Sequence, residues 1–413
     1  PSTIQRGNVF HFVTMAELKP KTSIAGLFED ARKNGTYLKI CAPMVRYSKL
    51  EFRNLVRTFD TDLTFSSMIM ADSFCHSEKA RLNEFTTNKD DTPMIVQFAA
   101  NNTIDFLSAA EMVYPYSDGV DLNCGCPQRW AMQDGYGSAL LKTPELIADM
   151  LATVRRNLPC SFSVSVKVRL LQKSLAATVD MCRQLEACGI TFLTVHGRTA
   201  ADKTNVPVNK DALKEIKASL SIPMVANGDI FSLQDADEMH RITGCDGVMS
   251  ARGILSNPGL YAGHQQTPRE CIQRWLNITA QADTDITYQA MHHHLSFMAE
   301  SMLSKTQRVT FNGLSKDKRL VVDFLREHFQ LEPRPCDHPP KLACTFDDGA
   351  FRKRAQADGR SAVGDGKGEN GYASENTDGA FFKSIVDDLA KEDGDGSVDD
   401  VGVMGGLFGD EEI

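Results

Sequence analysis

The stretch SVSVKVRLLQKSLAATVDMCRQLEACGITFLTVH, from Ser163 to His196, decides the fold. Its two ends, Ser163–Arg169 and Phe192–His196, are short runs rich in Val and Leu, and the segment between them, Ser174–Cys188, carries a helical pattern. Near-continuous apolar strands joined by a helix are the mark of a parallel sheet buried on both faces. The same unit recurs outward in both directions. Strand-like runs precede it at Tyr37–Met44, Leu63–Ala71, Pro93–Ala100 and Gly119–Asn123, and follow it at Ile222–Asn227 and Gly247–Ala251. Helical patterns fill the gaps at Lys49–Phe59, Ser77–Phe85, Thr103–Val113, Pro144–Asn157, Lys210–Leu220 and Leu233–Arg241. Ser48, Asn102 and Thr143-Pro144 stand where helix starts are expected. Eight alternating units over roughly 215 residues predict a (β/α)8 barrel, within an α/β domain spanning 25–266. Beyond Thr267 the pattern is helical only, with Pro268–Asp283, Thr287–Leu303 and Lys318–His328 as helices, so a small all-α domain over 267–335 follows. Residues 1–24 read as a loose lead-in.

The chain of 413 residues carries a net charge of −9, which at first sight opposes a nucleic-acid partner. The charge is uneven. Residues 345–413 hold 7 of the 45 Lys and Arg but 17 of the 54 Asp and Glu, a net of −10, leaving the body 1–344 at +1. The pI therefore describes the tail, and the body is free to present a basic face. That tail also holds 13 of the 29 glycines, so it is expected to be disordered, acidic and Gly-rich. Eleven cysteines without framework spacing argue against a disulfide scaffold and for a reducing compartment, with cytoplasm the default expectation and nucleus or mitochondrion left open. No apolar run approaches 18 residues and no leader pattern is present, so neither a membrane span nor secretion is expected. A monomer is the default.

Chemistry in such a barrel gathers where the C-terminal ends of the strands converge. Here those ends read Cys41-Ala42-Pro43-Met44, Val96-Gln97, Asp121-Leu122-Asn123-Cys124-Gly125-Cys126-Pro127, Lys167-Val168-Arg169, His196-Gly197-Arg198, Asn227-Gly228-Asp229 and Ala251-Arg252-Gly253. The last two predict a phosphate site. Gly228 and Gly253 allow close approach of backbone N–H groups, Arg252 adds a fork of donors, and a short extra helix is expected at Asn257–Ala262. Lys167 and His196 end adjacent strands, where a cation suits the N1/C2 edge of a reduced flavin. Gln97 suits the ring's polar edge, and Pro43 and Met44 a backbone and thioether wall. Together these describe an FMN site.

Cys126 follows a glycine and precedes a proline, so its thiol is expected to project from a loop into the barrel mouth. Cys124 and Cys126 are too close for a relaxed disulfide and lack a second pair for zinc. A thiol with pKa near about 8.5 is mostly protonated at neutral pH and can serve as a proton donor. No metal site is expected; three consecutive histidines, His292-His293-His294, splay around a helix rather than converge.

The strings Ala42-Pro43-Met44-Val45-Arg46-Tyr47-Ser48-Lys49, Asp121-Leu122-Asn123-Cys124-Gly125-Cys126-Pro127 and Thr194-Val195-His196-Gly197-Arg198-Thr199 resemble the tRNA-dihydrouridine synthases, in blocks covering roughly 38–315. Met44–Ser48 and Phe311-Asn312 look most like the eukaryotic class acting at positions 20a and 20b of the tRNA D-loop. The resemblance implies a TIM barrel carrying FMN, a helical tRNA-binding domain, and NADPH or NADH as reductant. It places FMN contacts on Pro43, Met44, Val45, Gln97, Lys167, His196, Asn227, Gly228, Asp229, Ala251 and Arg252, and the proton donor on Cys126. Hydride would reach C6 of the uracil and a proton C5, giving 5,6-dihydrouridine. Asn123 is a further candidate for the flavin or pyrimidine edge; Lys142, Arg169 and Arg198 are candidates for uracil or phosphate. The sequence departs from the family at Glu51, where proline is common, and at Ala99-Ala100, where glycine is common. A small-molecule flavin oxidoreductase of the dihydroorotate dehydrogenase type would share the barrel, and the helical domain counts against it.

Overall fold

The computed structural model describes residues 21–281, 286–314 and 317–359. Its strands are β1 Leu38–Cys41, β2 Leu63–Phe65, β3 Ile69–Met70, β4 Met94–Ala99, β5 Gly119–Cys124, β6 Ser163–Leu170, β7 Phe192–Thr199, β8 Met224–Asn227 and β9 Gly247–Ser250. All pairings are parallel, and β1 pairs with both β2 and β9, so the sheet closes into the expected TIM barrel. The near-continuous apolar runs become strands whose alternate side chains fill the barrel or meet the surrounding helices.

The second expected strand is split, and β2 and β3 both pair with β4. The cause is local. Ser66 Oγ accepts the Gln97 N–H at 3.1 Å and donates to the Ser67 carbonyl at 2.8 Å, so a side chain interrupts the backbone ladder. Met68 is thereby turned into the barrel mouth.

Helices surround the barrel close to their expected bounds; Thr103–Val113 and Pro144–Asn157 match them. Asn102 caps as anticipated, accepting from Asp105 N at 3.0 Å. Ser48 does not. Its Oγ is closed on the N–H and carbonyl of Met44, and the helix Leu50–Arg57 begins after Lys49 without a side-chain cap. The turn carrying Pro43 and Val45 is instead held from below. Buried Arg53 donates to the Ser48 carbonyl at 2.8 Å and ion-pairs with buried Asp91 at 2.6 Å.

The all-α domain follows as helices Arg269–Thr279, Tyr288–Ala299, Lys305–Gly313 and Lys318–Phe329, the third of which the sequence reading omitted. His294 packs among Phe52, Trp275 and Tyr47 and joins the domain to the barrel, while His292 stacks on Phe311 within the domain, so both are core residues. Among the described residues no helix is long and apolar enough to cross a membrane.

Both ends of the chain depart from expectation where they are described. Ser23 caps a helix Ile24–Lys33 whose Ile24 and Phe28 are buried, so the lead-in stops short of residue 24. The expected disorder from 345 onward is corrected for 345–359. Thr345 N–H donates to the Tyr116 hydroxyl at 2.8 Å, Phe346 packs against Phe74, Phe85 and Tyr116, and a helix Gly349–Ala357 buries Phe351. Arg354 clamps Glu111 with two bonds of 2.7 Å. Apolar rings at Phe346 and Phe351 outweighed the acidic, glycine-rich character of the whole tail. Residues 1–20 and 360–413, with most of the expected lead-in and tail, lie outside the described residues. Each ring buried is worth about 1.5–3 kcal/mol. A chain ending at 344 is therefore expected to unfold at lower urea than one ending at 359, with equal midpoints counting against the packing.

Candidate active site

The barrel mouth opens into a cleft of about 360 Å³. Pro43, Val45, Gln97, Asn123 and Cys126 line it from the ends of β1, β4 and β5. Lys167, Arg169, His196 and Arg198 enter from β6 and β7, and Asn227, Gly228, Asp229, Ala251 and Arg252 from the loops after β8 and β9. Strand alternation explains why: in β6 and β7, Lys167, Arg169, His196 and Arg198 share the period that faces the mouth.

A hydrogen-bond chain runs upward from the barrel interior. Ser165 Oγ donates to Asp121 at 2.7 Å, Gln97 Nε2 donates to Asp121 at 2.8 Å, and Asn123 Nδ2 donates to Gln97 Oε1 at 2.9 Å. Asn123 Oδ1 then accepts the N–H groups of Gly125 and Cys126, at 3.1 and 3.0 Å. Asn123 is thus spent chiefly on shaping the turn that presents the thiol. Burial raises Asp121 to about 6, opposed by its bonds from Gln97 and Ser165.

The turn is clamped from both sides. Arg169 Nε donates to the Gly125 carbonyl at 2.7 Å. On the other side Gly137, at φ 60°, lies so close that a Cβ there would come within 2.6 Å of the Cys126 carbonyl oxygen. Cys126 packs against the small apolar cluster of Ala99, Ala131, Tyr136, Met68 and Met70. This burial pushes the thiol above its ordinary pKa, against the pull of a hydrogen bond at Gln128 and the cations Arg169 and Lys167. The sulfur is therefore held as a neutral S–H in a site rich in positive charge. Alanines at 99 and 100, where the resemblance leads one to expect glycine, are both buried and lie outside the cleft lining.

Lys167 has no hydrogen-bond or ion-pair partner among the described residues. Burial, with repulsion from Arg169, lowers it to about 8, and attraction to Asp121 only partly opposes this. A desolvated ammonium without a partner is costly, and such groups concentrate where a ligand completes them. Burial and the neighbouring cations hold His196 well below its ordinary range, so its imidazole is neutral.

The loops after β8 and β9 press together. A Cβ on Gly253 would stand 2.0 Å from the Ile230 carbonyl oxygen, and Gly228, at φ 120°, adopts a backbone that side chains disfavour. The short helix here is Arg252–Ser256, earlier than the expected Asn257–Ala262, where only a 3-10 turn Leu260–Ala262 forms. Arg252 stays half exposed, with its guanidinium 5.5 Å from the Phe231 ring centre and 3.8 Å from Asp229.

Two of the expected residues, Met44 and Lys142, lie outside the cleft lining, and three others, Arg198, Asp229 and Asn123, line it while bonded within the protein. Arg198 is buried and engaged, donating to both Asp229 oxygens at 2.7 and 2.6 Å and to the Thr204 and Val206 carbonyls, and both residues stay in the cleft lining. Their pairing closes one loop against another. Met44 is fully buried with its backbone closed on Ser48, and does not line the cleft. Lys142 ends the 3-10 turn Gly137–Lys142 away from the lining. Asn123 holds the turn, as above. The sequence reading missed Met68, Gln128, Trp130 and Phe231, all in the lining. Gln128 and Trp130 lay just past a motif read only as far as Pro127; Phe231 and Met68 carry no local signal.

The dihydrouridine synthase family model matches residues 40–317. A human tRNA-dihydrouridine(20a/20b) synthase (NAD(P)+)-like protein is 48% identical over 297 residues, 72% of this chain and 92% of that protein. The mouse protein of the same name is 49% identical over 297 residues, covering 72% and 90%. The Schizosaccharomyces pombe tRNA-dihydrouridine(20a/20b) synthase is 43% identical over 301 residues, covering 73% and 90%. With the barrel, the Asn123–Pro127 turn and the strand-end cations in one cleft, the chain belongs to the dihydrouridine synthase family.

Proposed function

We propose that this protein reduces uridine to 5,6-dihydrouridine in the tRNA D-loop, at positions 20a and 20b, using FMN and NADPH or NADH. The observation that carries the reading is Cys126, a neutral thiol on a rigid turn, in the same cleft as the unpartnered cation Lys167. The residues present fit FMN. Lys167 lacks the anion that would complete it, Gly228 and Gly253 let the loops carrying Asn227 and Arg252 pack closely at the cleft, and neutral His196 can share one proton with a ring edge. Pro43, Val45, Gln97, Asn227 and Ala251 complete the set that would hold it. When bound and reduced, the flavin supplies the hydride that C6 of the uracil takes.

The chain's own residues supply the rest. Cys126 Sγ holds the proton that C5 takes, and Asn123, Arg169 and Gly137 keep that sulfur in place. Met68, Tyr136 and Ala131 exclude water behind it. The target base must leave its stack, which costs a few kcal/mol and is easiest in a loop. A tRNA loop supplies both the uridine and the phosphates that basic side chains such as exposed Arg46, next to the helical domain, suit. The relatives' names, and a helical domain packed onto the mouth side through Tyr47, favour this over a small-molecule flavin oxidoreductase.

The test is direct. Purified protein with FMN, NADPH and an unmodified tRNA transcript is expected to yield dihydrouridine at 20a and 20b, mapped by reverse-transcription arrest after chemical cleavage. Flavin-loaded protein that oxidises NADPH yet leaves every uridine intact would overturn it.

A further inference from the structure

Past the catalytic turn, the short helix Arg129–Gln133 is pinned by Ala131, which is fully buried against Ala99 and Tyr136. Successive helical residues rotate by about 100°, so with Ala131 facing inward Trp130 is driven outward. Trp130 is 39% exposed and lines the cleft, whereas the chain's other tryptophan, Trp275, is fully buried. The indole is nevertheless oriented. Trp130 Nε1 donates to Gln128 Oε1 at 2.8 Å, and the same oxygen faces the Cys126 thiol at 3.8 Å. One carboxamide oxygen therefore ties a large flat apolar surface to the proton donor. An exposed indole fixed at the lip of the cleft offers a flat apolar face to a planar ligand.

We infer that Trp130, aimed by Gln128, is the stacking surface that receives the everted pyrimidine and sets it against the Cys126 thiol. This rests on the proposed function and adds a substrate-binding residue to it. The everted base is favoured over the nicotinamide of the reductant because Trp130 sits on the segment that carries Cys126, where the base must be placed for its C5 to meet the sulfur.

The full-length flavin-loaded enzyme, with wild-type, Trp130→Phe, Trp130→Ala and Gln128→Leu forms, is assayed on unmodified tRNA transcript, with tRNA binding measured separately in the absence of NADPH. Loss of one base–aromatic stack is expected to raise the KM for tRNA by about 10- to 100-fold in Trp130→Ala. Trp130→Phe should recover most of that loss, Gln128→Leu should fall between, and flavin content and NADPH-driven flavin reduction should stay at wild-type levels. An unchanged KM and unchanged tRNA binding in Trp130→Ala would overturn the inference. So would a defect confined to the NADPH step, which would assign the ring to the nicotinamide. Flavin loss shared equally by the Phe and Ala forms would show that the indole only supports the helix. A wild-type enzyme that binds tRNA but makes no dihydrouridine would sink the proposed function instead, and the binding arm would still decide Trp130.

Discussion

Cys126→Ala is expected to lower dihydrouridine formation by about 10²–10⁴-fold, the usual contribution of a positioned acid. Flavin content and tRNA affinity should be unchanged, because the turn is held through backbone groups and Asn123 rather than through the sulfur. A single-turnover assay with enzyme reduced beforehand isolates the step. The pH dependence has a definite sign. The thiol donates only while protonated, and burial has raised its pKa, so the donor persists through neutral pH and is lost only as pH climbs through that raised value. A Cys126→Ala enzyme that retains wild-type turnover would remove the proton donor from the scheme and leave the cleft's geometry without its central role.

Lys167→Met is expected to move two observables in opposite directions. Losing a charge-assisted contact to the flavin should weaken cofactor binding by about 10- to 100-fold. The flavin-free variant should at the same time unfold at a higher temperature than flavin-free wild type at neutral pH. The sign follows from the depressed pKa of about 8. Between that value and the ordinary lysine range the unfolded chain binds the proton more tightly, so wild-type stability rises as pH climbs through this window, and below it the buried charge carries its full penalty. Methionine removes the penalty and keeps the stem. Flavin affinity in the wild type should accordingly fall as pH rises through about 8, while the variant shows no such limb. Titration of the flavin-free forms by fluorescence measures both; a variant that binds as tightly as wild type would place Lys167 outside the cofactor site. A site that holds an unpartnered cation ready sacrifices stability for function.

The fold was legible because its determinants are local. Strand runs such as Ser163–Arg169 and the helix Pro144–Asn157 announce themselves through periodicity, caps and proline placement. The barrel then follows from their number and alternation. The split of the second strand was not legible, since Ser66 interrupts the ladder only through Gln97 on the neighbouring strand.

The candidate site was legible to the same depth. A residue at a strand's C-terminal end is committed to the mouth by topology, and this put Cys126, Lys167, His196, Gln97 and Arg252 together without coordinates. Whether an arrived side chain is free is another matter. Arg198 and Lys167 look alike in sequence, both basic and both at strand ends. Only the tertiary structure shows Arg198 spent on Asp229 from the next loop and Lys167 left without a partner. The same limit hid Trp130, whose exposure is set by Ala131 packing against another strand, and the helix Gly349–Ala357, whose hold on the barrel depends on Glu111. Periodicity and strand order travel with the chain and so are written in it. Pairing, burial and free charge depend on neighbours distant in sequence, and exist only once the chain has closed on itself.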